Sequence, residues 1–204
     1  MLVKLCLTDR DALSMEDLLP TVPLLTVPLT PASPAPVAVA IALGSNLGDS
    51  AGILSAALVA LAKVSGLEVQ AQSSFYRTAP VGPPQPDYLN ACALLAVTLS
   101  PETMLETLLQ VEQQFGRVRR ERWGPRLLDL DLLFYGDRIL TTPTLELPHP
   151  RMIDRAFVLV PLAEIVPQWR DPRSQRSIAE LLHHLDCSGV QRRSEAPPDP
   201  IPDP

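Results

Sequence analysis

The spacing of apolar residues changes repeatedly between residue 37 and residue 190, and each change marks an element. In "VAVAIAL" (37–43) Val37, Val39 and Ile41 share one side and alanines the other, which predicts a strand. "GSNLGDS" reads as a glycine-rich turn. Asp49 or Ser50 then caps a helix that buries Ile53, Leu54, Ala57, Leu58, Leu61 and Val64 and stops at Gly66. "LEVQAQSSFYRT" alternates polar and apolar as a half-buried strand does, and "YLNACALLAVTL" is another strand after a rigid proline-rich loop. Ser100 and Pro101 form an N-cap and first-turn pair. They open a helix that buries Met104, Leu105, Leu108 and Val111 and closes at Gly116. "LLDLDLLFY" is a strand, with Leu128, Leu130, Leu132 and Phe134 on the core side. Gly136-Asp137 is a hairpin turn signal, and "DRAFVLVPLAEI" and "SIAELLHHL" are two further helices. The order strand, helix, strand, strand, helix, strand predicts an α+β fold of the ferredoxin-like, split βαβ kind: a layered sandwich around a mostly antiparallel sheet.

Proline divides the chain. Eleven of the 23 prolines lie in two flanks, so residues 1–36 and 191–204 are expected to be disordered extensions around a folded domain at 37–190. The apolar stretch from Leu18 to Leu43 carries six prolines, which excludes a membrane-spanning helix. The N-terminus places charges where a signal peptide has its apolar core. Cys6, Cys92 and Cys187 form no metal or disulfide spacing, which fits a reduced, cytoplasmic setting.

A net charge of −6 argues against a nucleic-acid or anionic-membrane binder, and it makes one basic cluster conspicuous. Arg117, Arg119, Arg120, Arg122 and Arg126 place five of the 17 basic residues within ten positions. Directly after them the strand carries Asp129 and Asp131. Residues two apart in a strand face one way, about 6.6 Å apart, so the two carboxylates stand side by side and require cations. The bland alternative is a solvated strand face whose aspartates pair with neighbouring arginines. The pairing of carboxylates suited to Mg2+ with arginine forks suited to phosphate favours Mg-nucleotide chemistry. No P-loop or protein-kinase signature is present, so the scaffold is a different one.

The segments "IALGSNLGD", "SSFYRTAPVG", "QPDYLNACALL", "FGRVRRERWGPRLLDLDLLFYG" and "LPHPRMIDRAFVLVPLAEI", in this order over about 37–167, closely resemble the 6-hydroxymethyl-7,8-dihydropterin pyrophosphokinases of folate biosynthesis. The resemblance implies a ferredoxin-like α+β sandwich, ATP as pyrophosphoryl donor and two Mg2+ ions. Asp129 and Asp131 match the metal-binding aspartates, and Arg117 and Arg126 the catalytic, phosphate-binding arginines. Arg119 matches a loop arginine on the ATP side, acting late in the cycle or in assembly. Trp123 matches the loop tryptophan that closes over the site. Tyr88 and Phe157 match the residues that sandwich the pterin ring, and Asn90 the one that bonds its edge. Thr78 and Val81 match loop positions whose backbone reads the pterin, with Gly44 and Asn46 near the ring. His149 and Arg155 match nucleotide-phosphate contacts, and Gln110 and Glu112 lie on the helix assigned to the ribose or adenine side. Two departures stand out: the arginine loop is one residue shorter than a common family version, and Ala79 replaces a frequent proline.

The resemblance further implies small-molecule substrates only, with no nucleic-acid or membrane partner, and a monomer. A different DxD-dependent transferase would account for the aspartates but not for "DYLN" or "PHPR". An RNA-binding module would want a basic balance and exposed aromatics on its strands. A catalytically degenerate homologue that still binds pterin or nucleotide is the remaining alternative.

Overall fold

The computed structural model describes residues 35–80, 83–116 and 124–193. The expectations for the two flanks up to 34 and from 194, and for Val81, Arg117, Arg119 and Trp123, fall outside the described residues. The elements are β1 (Val37–Ser45), α1 (Ser50–Ala62), β2 (Leu67–Gln72), β3 (Tyr76–Thr78), β4 (Tyr88–Val97), α2 (Pro101–Gln114), β5 (Asp129–Tyr135), β6 (Leu140–Thr141) and β7 (Glu146–Leu147). A 3-10 turn (Met152–Asp154), α3 (Ala156–Ile165), α4 (Ile178–Leu182) and β8 (Val190–Arg192) follow.

β1 lies between β5 and β4 and is antiparallel to both. β2 and β3 share the far side of β4, and β8 adds to β3. Each of β1–α1–β2 and β4–α2–β5 therefore joins two strands that flank a third, which is the split βαβ arrangement read from the sequence. Capping chemistry sets the helix starts. Asp49 accepts Gly52 N–H at 3.1 Å, and Ser100 accepts Thr103 N–H at 3.2 Å. Gly66 has φ +81°, and a Cβ there would lie 2.5 Å from Thr98 Oγ1, so the exit from α1 into β2 requires glycine.

Helices cover both faces of the sheet. On one, Val39, Ile41 and Leu43 meet Leu54 and Leu61 of α1 and Met104 and Leu108 of α2. On the other, Ala40, Cys92 and Phe134 meet Val158, Leu159 and Leu162 of α3 and Ile178 of α4, while Trp169 stacks on Phe134 at 5.5 Å. Of the β1 alanines, Ala40 is thus part of a second buried face, with half-buried Ala42 packed against it and Ala38 exposed.

Several elements depart from the periodicity. Leu128, Leu130 and Leu132 do pack on the α1–α2 side, but Phe134 does not. The β1–β5 register skips Leu133, pairing Ile41 with Leu132 and Ala40 with Phe134. This bulge turns Phe134 onto the α3 side, the side of Asp129 and Asp131. The single strand expected over 67–78 breaks at Ser73–Phe75, where Ser73 exchanges bonds with the backbone of Cys92 at 2.9 Å. The turn at Gly136-Asp137 forms, but no hairpin follows, because β6 pairs with β7. β8 carried too few apolar residues to be read as a strand.

Two carboxylates fasten the edges. Glu112 of α2 is 1% exposed, and its Oε1 accepts the N–H of Leu130 at 2.7 Å on the outer edge of β5. Glu164 of α3 accepts from Ser74 N–H and Ser74 Oγ–H at 2.8 Å, from Tyr76 O–H at 3.0 Å and from Arg192 at 3.1 Å. Burial alone would raise the Glu164 carboxyl, but the bonds from Ser74 and Tyr76 and the Arg192 charge prevail and hold it below the ordinary value.

Glu112→Ala strands a buried amide and is expected to cost about 2–3 kcal/mol in urea unfolding, against less than about 0.5 kcal/mol for exposed Gln110→Ala. Equal effects would contradict this. A carboxyl depressed on folding contributes stability above its unfolded pKa and loses it as pH falls through the folded one. The stability gap between the native protein and Glu164→Gln is therefore expected to hold from pH 7 to about pH 5.5 and to shrink below about pH 4.5. A gap that widens in acid would contradict the assignment.

Candidate active site

The antiparallel register lines up two rows across the sheet. Gly44 pairs with Asn90 on one side and Asp129 on the other, and Ala42 pairs with Cys92 and Asp131. Directly paired residues face the same way, so Asn90 and the two aspartates flank a strip of very small side chains. A Cβ at Gly44 would stand 3.3 Å from Asn90 Oδ1 and 4.0 Å from Asp129 Cβ. The strip is the floor of a cavity also lined by Thr78, Ala79, Tyr88, Arg126, His149, Arg151, Arg155, Phe157 and Val158.

Charge along one wall is compensated pair by pair. Arg126 Nη1 donates to Asp129 Oδ2 at 2.8 Å, and Arg155 Nη1 lies 3.6 Å from Asp131 Oδ2. Burial would lower the Arg126 guanidinium, but Asp129 offsets this, with smaller help from Tyr88 and Asp131, and leaves it above its ordinary value. Burial and the Arg151 charge lower Arg155 against the pull of Asp131, and Arg155 also lies over the Phe157 ring at 5.5 Å. Burial raises the Tyr88 phenol, with Arg126 opposing.

The bulge in β5 serves this wall. Leu133 C=O accepts the N–H of His149 at 2.9 Å, which sets the imidazole beside β5 with Nε2 4.0 Å from Asp131 Oδ2. His149 Nδ1 accepts Arg151 N–H at 3.3 Å, so Nε2 carries the ring proton in the neutral form. Burial lowers the His149 pKa, with Arg155 and Arg151 adding to it and Asp131 opposing.

On the opposite wall, Asn90 Nδ2 donates to Thr78 Oγ1 at 2.7 Å. This turns the Asn90 amide oxygen toward the cavity strip, where a flat, polar-edged ring would need an acceptor, while Tyr88 and Phe157 supply aromatic faces.

Of the expected site residues within the described chain, Gly44, Thr78, Tyr88, Asn90, Arg126, Asp129, Asp131, His149, Arg155 and Phe157 line one cavity. Three do not. Asn46 is buried behind it as a tie. Its Oδ1 accepts Arg126 N–H at 2.7 Å, its N–H donates to Arg126 C=O at 3.1 Å, and its Nδ2 donates to Gln85 at 3.0 Å and Pro86 C=O at 3.1 Å. One amide thus joins the glycine turn, the proline-rich loop and the end of the arginine loop. Gln110 is exposed on α2, and Glu112 is committed to the β5 edge from the opposite side of the sheet. The helix is amphipathic toward the sheet, and its polar residues outside that face carry no mark of what they contact. Arg151, Ala42 and Val158 line the cavity without having been singled out. The signal for Arg151 was present in "PHPR", beside His149.

The donor set fits Mg2+ held jointly with a phosphate. Among the described residues no group of three or more acidic, histidine or cysteine side chains could hold a metal. Mg2+ commonly takes one or two carboxylates and completes its shell with water and substrate oxygens, which the Asp129–Asp131 pair supplies.

Known proteins resemble this chain over most of its length. The chain is 55% identical over 150 residues to the 2-amino-4-hydroxy-6-hydroxymethyldihydropteridine pyrophosphokinase of Synechocystis sp., covering 74% of this chain and 77% of that protein. The Haemophilus influenzae protein of the same name is 47% identical over 143 residues, 70% of this chain and 89% of that one. Among solved structures, an HPPK-DHPS in complex with substrates superposes with a TM-score of 0.61 at 11% identity, over 78% of this chain and 46% of that chain. Wild-type Plasmodium falciparum HPPK-DHPS with pterin and p-hydroxybenzoate gives a TM-score of 0.58 at 13% identity, over 72% and 43%. These two show the fold, and this chain spans less than half of each. The sequence model of the 7,8-dihydro-6-hydroxymethylpterin-pyrophosphokinases matches residues 40–167, well over half of the chain, and the chain belongs to that family.

Proposed function

We infer that this chain is an Mg2+-dependent, ATP-using diphosphokinase of folate biosynthesis. It moves the β,γ-pyrophosphoryl group of ATP to the hydroxymethyl oxygen of 6-hydroxymethyl-7,8-dihydropterin. The observation that carries the reading is the row Asn90–Gly44–Asp129, which places a polar ring-edge partner, a side-chain-free floor and a carboxylate side by side.

In this reading the pterin lies over Gly44 between Tyr88 and Phe157, with its edge at Asn90 and the backbone near Thr78. Val81 and Trp123 belong to the same subsite by the family match. The hydroxymethyl oxygen then points along the sheet toward Asp129 and Asp131. These two aspartates would hold two Mg2+ ions, which when bound neutralise phosphate charge and align the attacking oxygen with the β-phosphorus. A new bond forms from that oxygen to the β-phosphorus, and the bond from the β-phosphorus to the oxygen shared with the α-phosphorus breaks. AMP leaves, and the hydroxyl proton passes to solvent. A loose transition state needs little from a base, and no residue is assigned as one.

Arg126 is the cation nearest the transferring group. Its partner Asp129 keeps it charged and extended at the cavity wall, ready to bond phosphate oxygen. Arg155 and neutral His149, whose Nε2 lies 4.0 Å from Asp131 Oδ2, hold the polyphosphate on the Asp131 side. Arg117 and Arg119 add charge from the arginine loop. The reading includes a monomer in the cytoplasm, with a domain over 37–190 and disordered proline-rich flanks. Unpaired Cys92 and Cys187 support a reducing compartment.

The test is AMP release from MgATP with and without the dihydropterin. AMP is expected only with pterin, and Asp131→Ala is expected to lower the rate at least about 100-fold with the fold intact. ADP in place of AMP, or a mutant as active as the native protein, would overturn the reading.

A further inference from the structure

The row that carries Asn90 and Asp129 extends further across the sheet. Arg192 of β8 pairs with Tyr76 of β3, Tyr76 with Asn90 of β4, and Asn90 with Gly44 of β1. Paired residues face the same way, so the Tyr76 side chain stands beside the Asn90 amide on the α3 side. Thr78, two positions on in β3, faces that side as well, and its Oγ1 accepts from Asn90 Nδ2 at 2.7 Å. The Asn90 side chain therefore takes its setting from β3.

β3 has little support of its own. It spans only Tyr76–Thr78, between the break at Ser73–Phe75 and the proline-rich loop, and its outer neighbour β8 is as short. Glu164 of α3 supplies the anchor, and each of its oxygens accepts two bonds. Oε2 takes Ser74 N–H at 2.8 Å and Tyr76 O–H at 3.0 Å. Oε1 takes Ser74 Oγ–H at 2.8 Å and Arg192 Nη2 at 3.1 Å. Arg192 also donates to Ser74 Oγ, from Nε at 2.9 Å and from Nη2 at 2.6 Å. One carboxylate thus gathers the approach to β3, its first side chain and β8. An amide in its place would turn an NH2 group toward two of these donors. Phe157 lies about two turns before Glu164 on α3, so the helix that brings an aromatic face to the cavity is the helix bound to β3.

We propose that Glu164 is a positioning residue for the ring-binding half of the cavity: through Tyr76 and β3 it fixes the Asn90 amide that meets the pterin edge. The inference rests on reading that half of the cavity as a pterin site.

The test is calorimetry on the native protein, Glu164→Gln, Tyr76→Phe and Leu61→Ala. Each is titrated with a non-reactive ATP analogue and Mg2+, and then, saturated with both, with the dihydropterin. Glu164→Gln is expected to weaken pterin binding about tenfold, and Tyr76→Phe, which drops one of the four donors, about threefold. Analogue affinity is expected to stay unchanged in both. Leu61→Ala removes fully buried volume under α1, on the opposite face of the sheet. It is expected to lower urea stability at least as much as Glu164→Gln and to leave both affinities unchanged, which separates positioning from lost stability. In turnover, Glu164→Gln raises the KM for pterin and not that for ATP. Native-like pterin affinity in both Glu164→Gln and Tyr76→Phe would overturn the proposal alone, as would an equal loss of analogue and pterin affinity. A native protein that binds the analogue but no dihydropterin would overturn the pterin reading of the cavity and the proposal with it.

Discussion

Two carboxylates two residues apart on one face of β5 repel each other, and most of what surrounds them answers that repulsion. The protein does so with its own groups: the guanidinium of Arg126 on Asp129 at 2.8 Å and that of Arg155 on Asp131 at 3.6 Å, with the His149 imidazole 4.0 Å from Asp131. Both aspartate side chains stay a quarter to a third exposed, at 25% and 34%, so neither pair bears the desolvation of a buried ion bridge. Such pairs can exchange partners at modest cost. Guanidinium groups also match phosphate oxygens, so in the proposed reading a metal on the carboxylates and a phosphate on Arg126 and Arg155 would satisfy all four charges at once.

Such an exchange would require the strand to stay in place while its ligands change. Glu112 holds the outer edge of β5 through Leu130, and β1 holds the inner edge. The bulge at Leu133 hands a carbonyl to His149 and turns Phe134 onto Trp169, so one irregularity both anchors α3's side of the core and places a cavity-lining residue. On the β4 side, Gly44 and Ala42 leave volume where longer side chains would fill it. The cavity is thus built into the central strand of the sheet, with loops adding its rim.

Local rules carried far into the sequence. Helix starts at Asp49 and Ser100 follow from side-chain oxygens aimed at free amide groups, and they are visible in any single segment. The aspartate pair and its charged neighbours were legible for the same reason, since a two-residue period places them without any tertiary knowledge. What stayed hidden depends on partners distant in the chain. The skipped Leu133 arises from how β5 meets β1 and leaves no mark in a run of leucines. Asn46 looks like a site residue by its motif, yet it serves as a tie because Gln85 and Arg126 converge on it from 39 and 80 positions away. Glu112 sits in a polar stretch of α2, and only the packed structure shows that its carboxylate belongs to the edge of β5. Arg151 was overlooked beside His149 because an exposed arginine on a loop is ordinary until a cavity is seen beneath it.

The most direct measurement of the account's centre is Mg2+ titration by calorimetry, alone and with saturating non-reactive ATP analogue. If the arginines stand in for metal until phosphate draws them away, Mg2+ binds weakly by itself and at least about tenfold more tightly with the analogue present. Equal Mg2+ affinity in the two titrations would contradict the exchange of partners at Asp129 and Asp131.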